Sequence, residues 1–198
     1  MGQVSKRGVS SARIAEENAY QLRRYHQFRQ AADAVAAAWR KHPDVLAVAL
    51  IGSLAVRPFK EVPRFSPYRR AGIALWHECK DIDLALWLTD TRDLNGLRRT
   101  KNRALRELFE NGGPSVASHQ TDVFILEPAT DRYLGRLCEF KTCPKAKPEC
   151  LVPGCGATAF LQQHQDFRFR PDTLAADRMV RLFDRATGQV NHAAEALR

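Results

Sequence analysis

The chain has 198 residues, 44% of them hydrophobic, and a formal net charge of +9. That is length enough for one domain with a core of its own. No window approaches the roughly eighteen apolar residues of a membrane span and the opening residues carry no signal-peptide run, so the expected compartment is cytoplasmic, where clustered cysteines point to metal before disulfides. The positive charge favours polyanionic partners such as RNA, DNA or phosphate-bearing substrates and is silent about fold.

Residues 1–15 are expected to form a flexible basic tail. From about Glu16 to Arg40 the apolar positions Tyr25, Phe28, Ala32, Val35, Ala36 and Trp39 recur at three- and four-residue steps, one face of a long amphipathic helix. His42-Pro43-Asp44 ends it, and the unbroken apolar run Val45 to Ile51 predicts a strand buried on both faces, with Gly52-Ser53 directly after it. Residues 57–70, rich in Pro, Arg and aromatics, read as an irregular basic loop. A second strand is expected from Asp81 to Leu88. A helix follows, with Leu94, Leu97, Leu105, Leu108 and Phe109 on one side and a costly Gly96 inside it. Thr121 to Pro128 reads as a third strand. Pro171 suits the first turn of a last helix, with Leu174, Met179, Leu182 and Phe183 buried, Arg178, Arg181 and Arg185 as its solvated face, and Gly188 as its stop. The expected fold is α/β (α+β): a short mixed sheet carrying three aspartates with flanking helices over residues 16–130, and a small cysteine-rich segment and helix over 131–198.

The chemistry centres on the stretch "ECKDIDLALWL". A strand has period two, so Asp81 and Asp83 share a face about 7 Å apart, while Ile82, Leu84, Leu86 and Leu88 take the other. Two such charges repel unless water or a cation lies between them. Gly52 permits a tight turn and a close backbone approach. A helix starting at Ser53 would add an anion site at its N-terminus, with the hydroxyl on a phosphate oxygen. If Asp122 on the third strand joins the pair, three carboxylates converge and suit hard divalent cations such as Mg²⁺. Two ions about 4 Å apart clamp the attacking and leaving oxygens of a phosphoryl displacement.

"LIGSLA" followed by "DIDLAL" resembles the hG[GS]…Dh[DE]h signature of the DNA polymerase beta-like nucleotidyltransferase superfamily, and Asp122 in "TDVFIL" resembles its third carboxylate. The likeness covers residues 45–126, and the small size is similar to that of the minimal nucleotidyltransferases. It implies that Gly52 and Ser53 hold the nucleoside triphosphate, that Asp81 and Asp83 bind two Mg²⁺ ions with Asp83 bridging them, and that Asp122 completes one metal site and assists deprotonation of the acceptor hydroxyl. The implied reaction moves a nucleoside monophosphate from an NTP, ATP among them, and releases pyrophosphate. The sequence departs from the family in spacing. Twenty-seven residues, Leu54 to Lys80, separate Gly-Ser from the first aspartate, so either the basic loop is an insertion beside the site or the Gly-Ser assignment fails. Arg57 in that insertion is the nearest candidate for a triphosphate contact.

Cys138, Cys143, Cys150 and Cys155 form C-x4-C-x6-C-x4-C, with Pro144, Pro153, Gly154 and Gly156 to turn the chain. Four thiolates suit a closed, structural, tetrahedral Zn²⁺ site, with His164 as an alternative ligand. Isolated buried thiols or a redox pair are the competing readings. Cys79 reads as a small hydrophobe, and His77-Glu78 lacks the H-E-x-x-H that would make it a metal motif. Arg57, Lys60, Arg64, Arg69 and Arg70 with Phe59, Phe65 and Tyr68 read either as a grip on nucleic-acid phosphates and bases or as a solvated loop over the core edge. Two functions are carried forward. One is a nucleotidyltransferase acting on RNA, a partner protein or a small molecule. The other is a non-catalytic zinc-containing module, or antitoxin-type partner, that binds nucleic acid or protein.

Overall fold

The computed structural model describes residues 11–56 and 79–195. Seven strands form one mixed sheet: β1 (Val45–Ile51), β2 (Ile82–Leu88), β3 (Thr121–Leu126), β4 (Tyr133–Leu137), β5 (Leu161–Gln162), β6 (Val180–Asp184) and β7 (Gln189–Val190). Their order across the sheet is β5-β4-β3-β2-β1-β6-β7. Only β2 and β3 run parallel; every other neighbouring pair is antiparallel. The residues after 130 thus add two strands to each edge of the sheet that β1–β3 begin.

Two long helices, α1 (Ser11–Trp39) and α2 (Leu94–Glu110), pack on one face. The alternation of the strands decides what they meet. Val48 and Leu50, Ile82, Leu84 and Leu86, and Val123 and Ile125 turn toward the helices and form the main core with Tyr25, Phe28, Val35, Trp39, Leu94 and Leu97. Burying each such side chain is worth about 1.5–3 kcal/mol. The Trp39 indole N–H donates to the Leu97 carbonyl oxygen at 2.9 Å, which ties the helices together without leaving a buried donor unpaired. At the start of α2 the Asp93 carboxylate accepts the Gly96 N–H at 2.9 Å. A Cβ at position 96 would sit 2.2 Å from that carboxylate, so the glycine that weakens the helix also makes room for its cap.

The other face carries a smaller cluster: Ala47, Ala49, Ile51, Ala85, Trp87, Phe124 and Leu126. The segment after β5 covers part of it with Phe167, Phe169, Leu174 and Met179. Tyr133 stacks on Phe169 with ring centroids 5.4 Å apart.

Several expectations change. The last helix does not form: Pro171–Leu174 is a single 3-10 turn, and Val180–Asp184 and Gln189–Val190 are a hairpin. Phe183 pairs with Val48 and Val180 with Leu50 on the helix-facing side, and a register shift between Val48 and Ala49 lets the adjacent Leu182 and Phe183 both enter the main core. The Asp184 carboxylate accepts the N–H groups of Ala186 and Thr187, the turn chemistry that the helical reading of this segment passed over. Arg178, Arg181 and Arg185 are accordingly no helix face. Arg178 pairs with Asp172, Arg181 lies 4.3 Å from the Trp87 ring centroid, and Arg185 donates to the carbonyls of Val45, Arg40 and His42. α1 begins at Ser11, so residues 11–15, expected in the tail, are helical. Phe109 is 58% exposed and leaves the buried face of α2 to Leu94, Leu97 and Leu105. The strands themselves run Ile82–Leu88 and Thr121–Leu126, slightly shorter than expected.

Candidate active site

Because β1 is antiparallel to β2 and β2 is parallel to β3, the end of β1 and the starts of β2 and β3 meet at one edge of the sheet. Ile51 lies opposite Asp83, and Asp83 lies opposite Asp122. Adjacent strands are about 5 Å apart, and partners in register share a face. Asp83 and Asp122 therefore stand side by side on the face away from the helices. Asp81 precedes β2 by one residue and is exposed. Of the three aspartates singled out in the sequence, Asp83 and Asp122 are paired in register, and Asp81 is near enough to act on the Asp83 carboxyl.

Gly52 closes the group from the β1 side. It has φ +70°, and a Cβ there would lie 2.3 Å from Asp83 Oδ2. Only a residue without a side chain lets the β1 turn lie this close to the carboxylate. Ser53 follows in a 3-10 turn, Gly52–Leu54, closed by the Ala55 N–H on the Gly52 carbonyl. The expected helix from Ser53 is thus a single short turn, and no helix dipole builds an anion site there among the described residues. The turn is held from α1. The Arg29 guanidinium, 1% exposed, donates to the carbonyls of Leu54 and Ala193, and the Tyr25 hydroxyl donates to the Val56 carbonyl at 2.8 Å. A buried arginine held by two backbone carbonyls is a stiff strut for the turn that brings Gly52 to Asp83.

Electrostatics distinguish the three carboxylates. Burial, then the carboxylates of Asp122 and Asp81, push Asp83 up to about 7, against the pull of Arg136. Asp122 is ion-paired: Arg136 Nη1 donates to its Oδ2 at 2.9 Å. Arg136 reaches it from β4, where it lies opposite Phe124, and its guanidinium lies against the stacked rings of Phe124 and Phe167, 4.7 and 4.6 Å from their centroids. His164, beside Phe167, is held below the usual imidazole range by burial and then by Arg136. Arg136 Nε and His164 Nε2 are buried and meet no hydrogen-bond partner among the described residues. Burial pushes the Tyr133 hydroxyl up to about 12. On the helix side, Lys101 is 0% exposed and donates to Glu139 Oε1 at 2.6 Å and to the Ser118 carbonyl at 2.8 Å.

Arg136, Tyr133 and the Lys101–Glu139 pair are absent from the sequence reading, and His164 entered it as an alternative zinc ligand alone. β4 and β5 are short and carry no long apolar run, so nothing in "RYLGRL" marked a strand that would aim Arg136 at Asp122. A register shift between Ile125 and Leu126 puts Tyr133 and Leu137 on opposite faces, so the segment shows no period-two pattern to read.

No family model, curated protein or solved structure matches the chain. The site is therefore judged on its own chemistry. Among the described residues no three or more His, Cys, Asp or Glu side chains are drawn into a metal-holding group. The aspartate set still fits a divalent cation: Asp83 is buried among like charges, which an added positive charge relieves. Arg57, His77 and the basic loop, residues 57–70, lie outside the described residues.

The four clustered cysteines lie at the far edge, between β4 and β5. All are free thiols, and all four line one small cavity. Burial pushes the Cys138 thiol up, with smaller contributions in the same direction from Cys143, Cys150 and Cys155. His164 is not among the residues lining that cavity and sits instead on the aspartate side, near Phe167 and Arg136. Cys79 is buried in the main core, as expected for a small hydrophobe. No helix among the described residues is long and apolar enough to cross a membrane.

Proposed function

We propose that the protein is a Mg²⁺-dependent nucleotidyltransferase, moving a nucleoside monophosphate from an NTP to an acceptor hydroxyl with release of pyrophosphate. One observation carries the reading: Gly52, Asp83 and Asp122 are in contact across three adjacent strands, in the order the family signature requires, although twenty-seven residues separate Ser53 from Asp81. The long spacing leaves the Gly-Ser turn at the carboxylates, which favours an insertion over a misassigned motif.

Asp81, Asp83 and Asp122 would hold the metal, with Asp83 shared. Bound Mg²⁺ supplies positive charge that neutralises the triphosphate oxygens and lowers the barrier to in-line displacement. The backbone at Gly52 and the hydroxyl of Ser53, in the turn beside Asp83, would orient the triphosphate. The acceptor oxygen forms a bond to the α-phosphorus as the bond to the β-phosphate bridging oxygen breaks. The acceptor proton passes toward Asp122, whose position is fixed by Arg136 at 2.9 Å. Asp122 is 38% exposed, open to an acceptor arriving from solvent. The +9 charge favours RNA among acceptors.

The test incubates purified full chain with each α-labelled NTP and Mg²⁺, together with total RNA or cell lysate. Label should transfer to a macromolecule, and Asp83→Asn should lower the rate by about two to three orders of magnitude. Absence of transfer from every NTP to every acceptor pool, or an active Asp83→Asn protein, overturns the reading.

A further inference from the structure

Residues 138–160 join β4 to β5 at the edge of the sheet. A connection longer than about 15 residues without regular structure needs a reason to be ordered. This one contains a single 3-10 turn, Pro148–Leu151. It has no apolar core: Cys138 is its only buried residue, and Leu151 is 78% exposed. Hydrophobic burial therefore does not hold it in shape. What lies inside are the thiols. Cys143, Cys150 and Cys155 are half-buried, and with Cys138 they line a cavity of about 10 Å³, room for one water-sized body.

The backbone is arranged to present these sulfurs. The Cys150 N–H donates to the Lys147 carbonyl at 2.8 Å and the Cys155 N–H to the Val152 carbonyl at 3.0 Å, so two tight turns each end on a thiol. The Phe160 N–H donates to Cys143 Sγ at 3.2 Å, and the Cys138 N–H donates to the Phe160 carbonyl at 2.9 Å. An N–H aimed at sulfur stabilises a thiolate more than a thiol.

We infer that Cys138, Cys143, Cys150 and Cys155 form a closed, structural Zn²⁺ site that staples the β4–β5 connection to the sheet. Binding releases the four thiol protons and leaves a centre of net charge −2, which the neighbouring Lys141, Lys145 and Lys147 offset. The staple has a consequence for the aspartate face. β5 runs directly into His164 and Phe167, and Phe167 stacks on the Arg136 guanidinium that holds Asp122. The cysteine segment and the carboxylates are thus linked through one short strand.

The test reads metal without any NTP, so its failure and that of the transferase reading are distinguishable. Full chain purified without added metal should contain about one zinc, and replacement by Co²⁺ should give sulfur-to-metal charge-transfer bands with tetrahedral d–d absorption. Cys143→Ser and Cys150→Ser should each lose most of the metal, while Cys79→Ala, which alters a core thiol outside the cavity, should keep it. Zinc well below one per chain in the wild-type protein overturns the site. So does Co²⁺ bound without thiolate bands, or four thiols whose rate of chemical modification is the same before and after a chelator. These wild-type measurements stand even if the serine variants fail to fold.

Discussion

Replacing Asp83 with asparagine should stabilise the metal-free protein, and should do so only at higher pH. Asp83 is raised from 3.8 to about 7, chiefly by burial and then by Asp122 and Asp81. The native state therefore keeps a proton that the unfolded chain has already released. Stability from this group is fully present below about pH 4 and is lost as the pH rises through about 7. A shift of about three units at about 1.4 kcal/mol each sets a ceiling near 4 kcal/mol, and partial solvation of the site brings the expected value to about 2 kcal/mol. The asparagine variant has no such proton. The difference in stability between variant and wild type should grow by about 2 kcal/mol from pH 4 to pH 8, or about 4–8 °C in melting temperature for a chain of this size. Thermal melts of both proteins in chelator across that range test it, because all other titrating groups are common to both. Adding Mg²⁺ near pH 8 should then raise the wild-type melting temperature and leave the variant nearly unmoved. A variant-to-wild-type difference that stays flat with pH would refute the electrostatic account of Asp83. A shared response to Mg²⁺ would refute its role as a ligand.

Gly52→Ala should cost about 1–2 kcal/mol for the left-handed backbone alone, and its Cβ would push the Asp83 carboxylate aside, so the Mg²⁺-dependent stabilisation should vanish with it. Lys101→Met should destabilise by about 2–3 kcal/mol in chemical denaturation, because the half-buried Glu139 is left unpaired, whereas the double variant Lys101→Met/Glu139→Leu should recover much of the loss. If the basic loop guides RNA, Arg64→Ala with Arg69→Ala should weaken RNA binding at low salt and flatten its log–log salt dependence by about one unit per lost phosphate contact; unchanged RNA affinity would make the loop a mere cover of the core edge.

What the sequence made legible follows how locally each feature is encoded. The buried face of α1, Tyr25 to Trp39, repeats at helical steps over about four turns, and the runs Val45–Ile51 and Val123–Leu126 are apolar on both faces, so period and length identify them. The Asp81–Asp83 spacing fixed their common side before any strand partner was known. Pairing was another matter. Whether Asp83 meets Asp122 depends on β2 and β3 being parallel and in register, and no residue spacing contains that. The segment from Leu174 to Phe183 failed for a related reason. Its apolar residues satisfy helical steps, but two of them, Leu174 and Met179, cover the open face, while Leu182 lies in the main core on the opposite side. One periodicity was read across two separate contacts, and the edge pairing of β6 with β1 overrode it.

The aspartates are close in space, but they are not equivalent, and the difference assigns their roles. Asp122 has a resident cation in Arg136, whose guanidinium rests against the stacked rings of Phe124 and Phe167. Asp81 is exposed and has water to solvate it. Asp83 has neither. It lies beneath the Gly52 turn, more buried than Asp81, with both other carboxylates for neighbours. A site built for structure alone would place a hydrophobe or an amide at the middle position, since a buried carboxylate among like charges costs stability. The strut from Arg29 and the missing side chain at Gly52 hold the unfavourable arrangement together. Destabilisation maintained by surrounding structure in this way fits the proposed Mg²⁺ site, where an added positive charge would relieve the repulsion between Asp83 and its two neighbours.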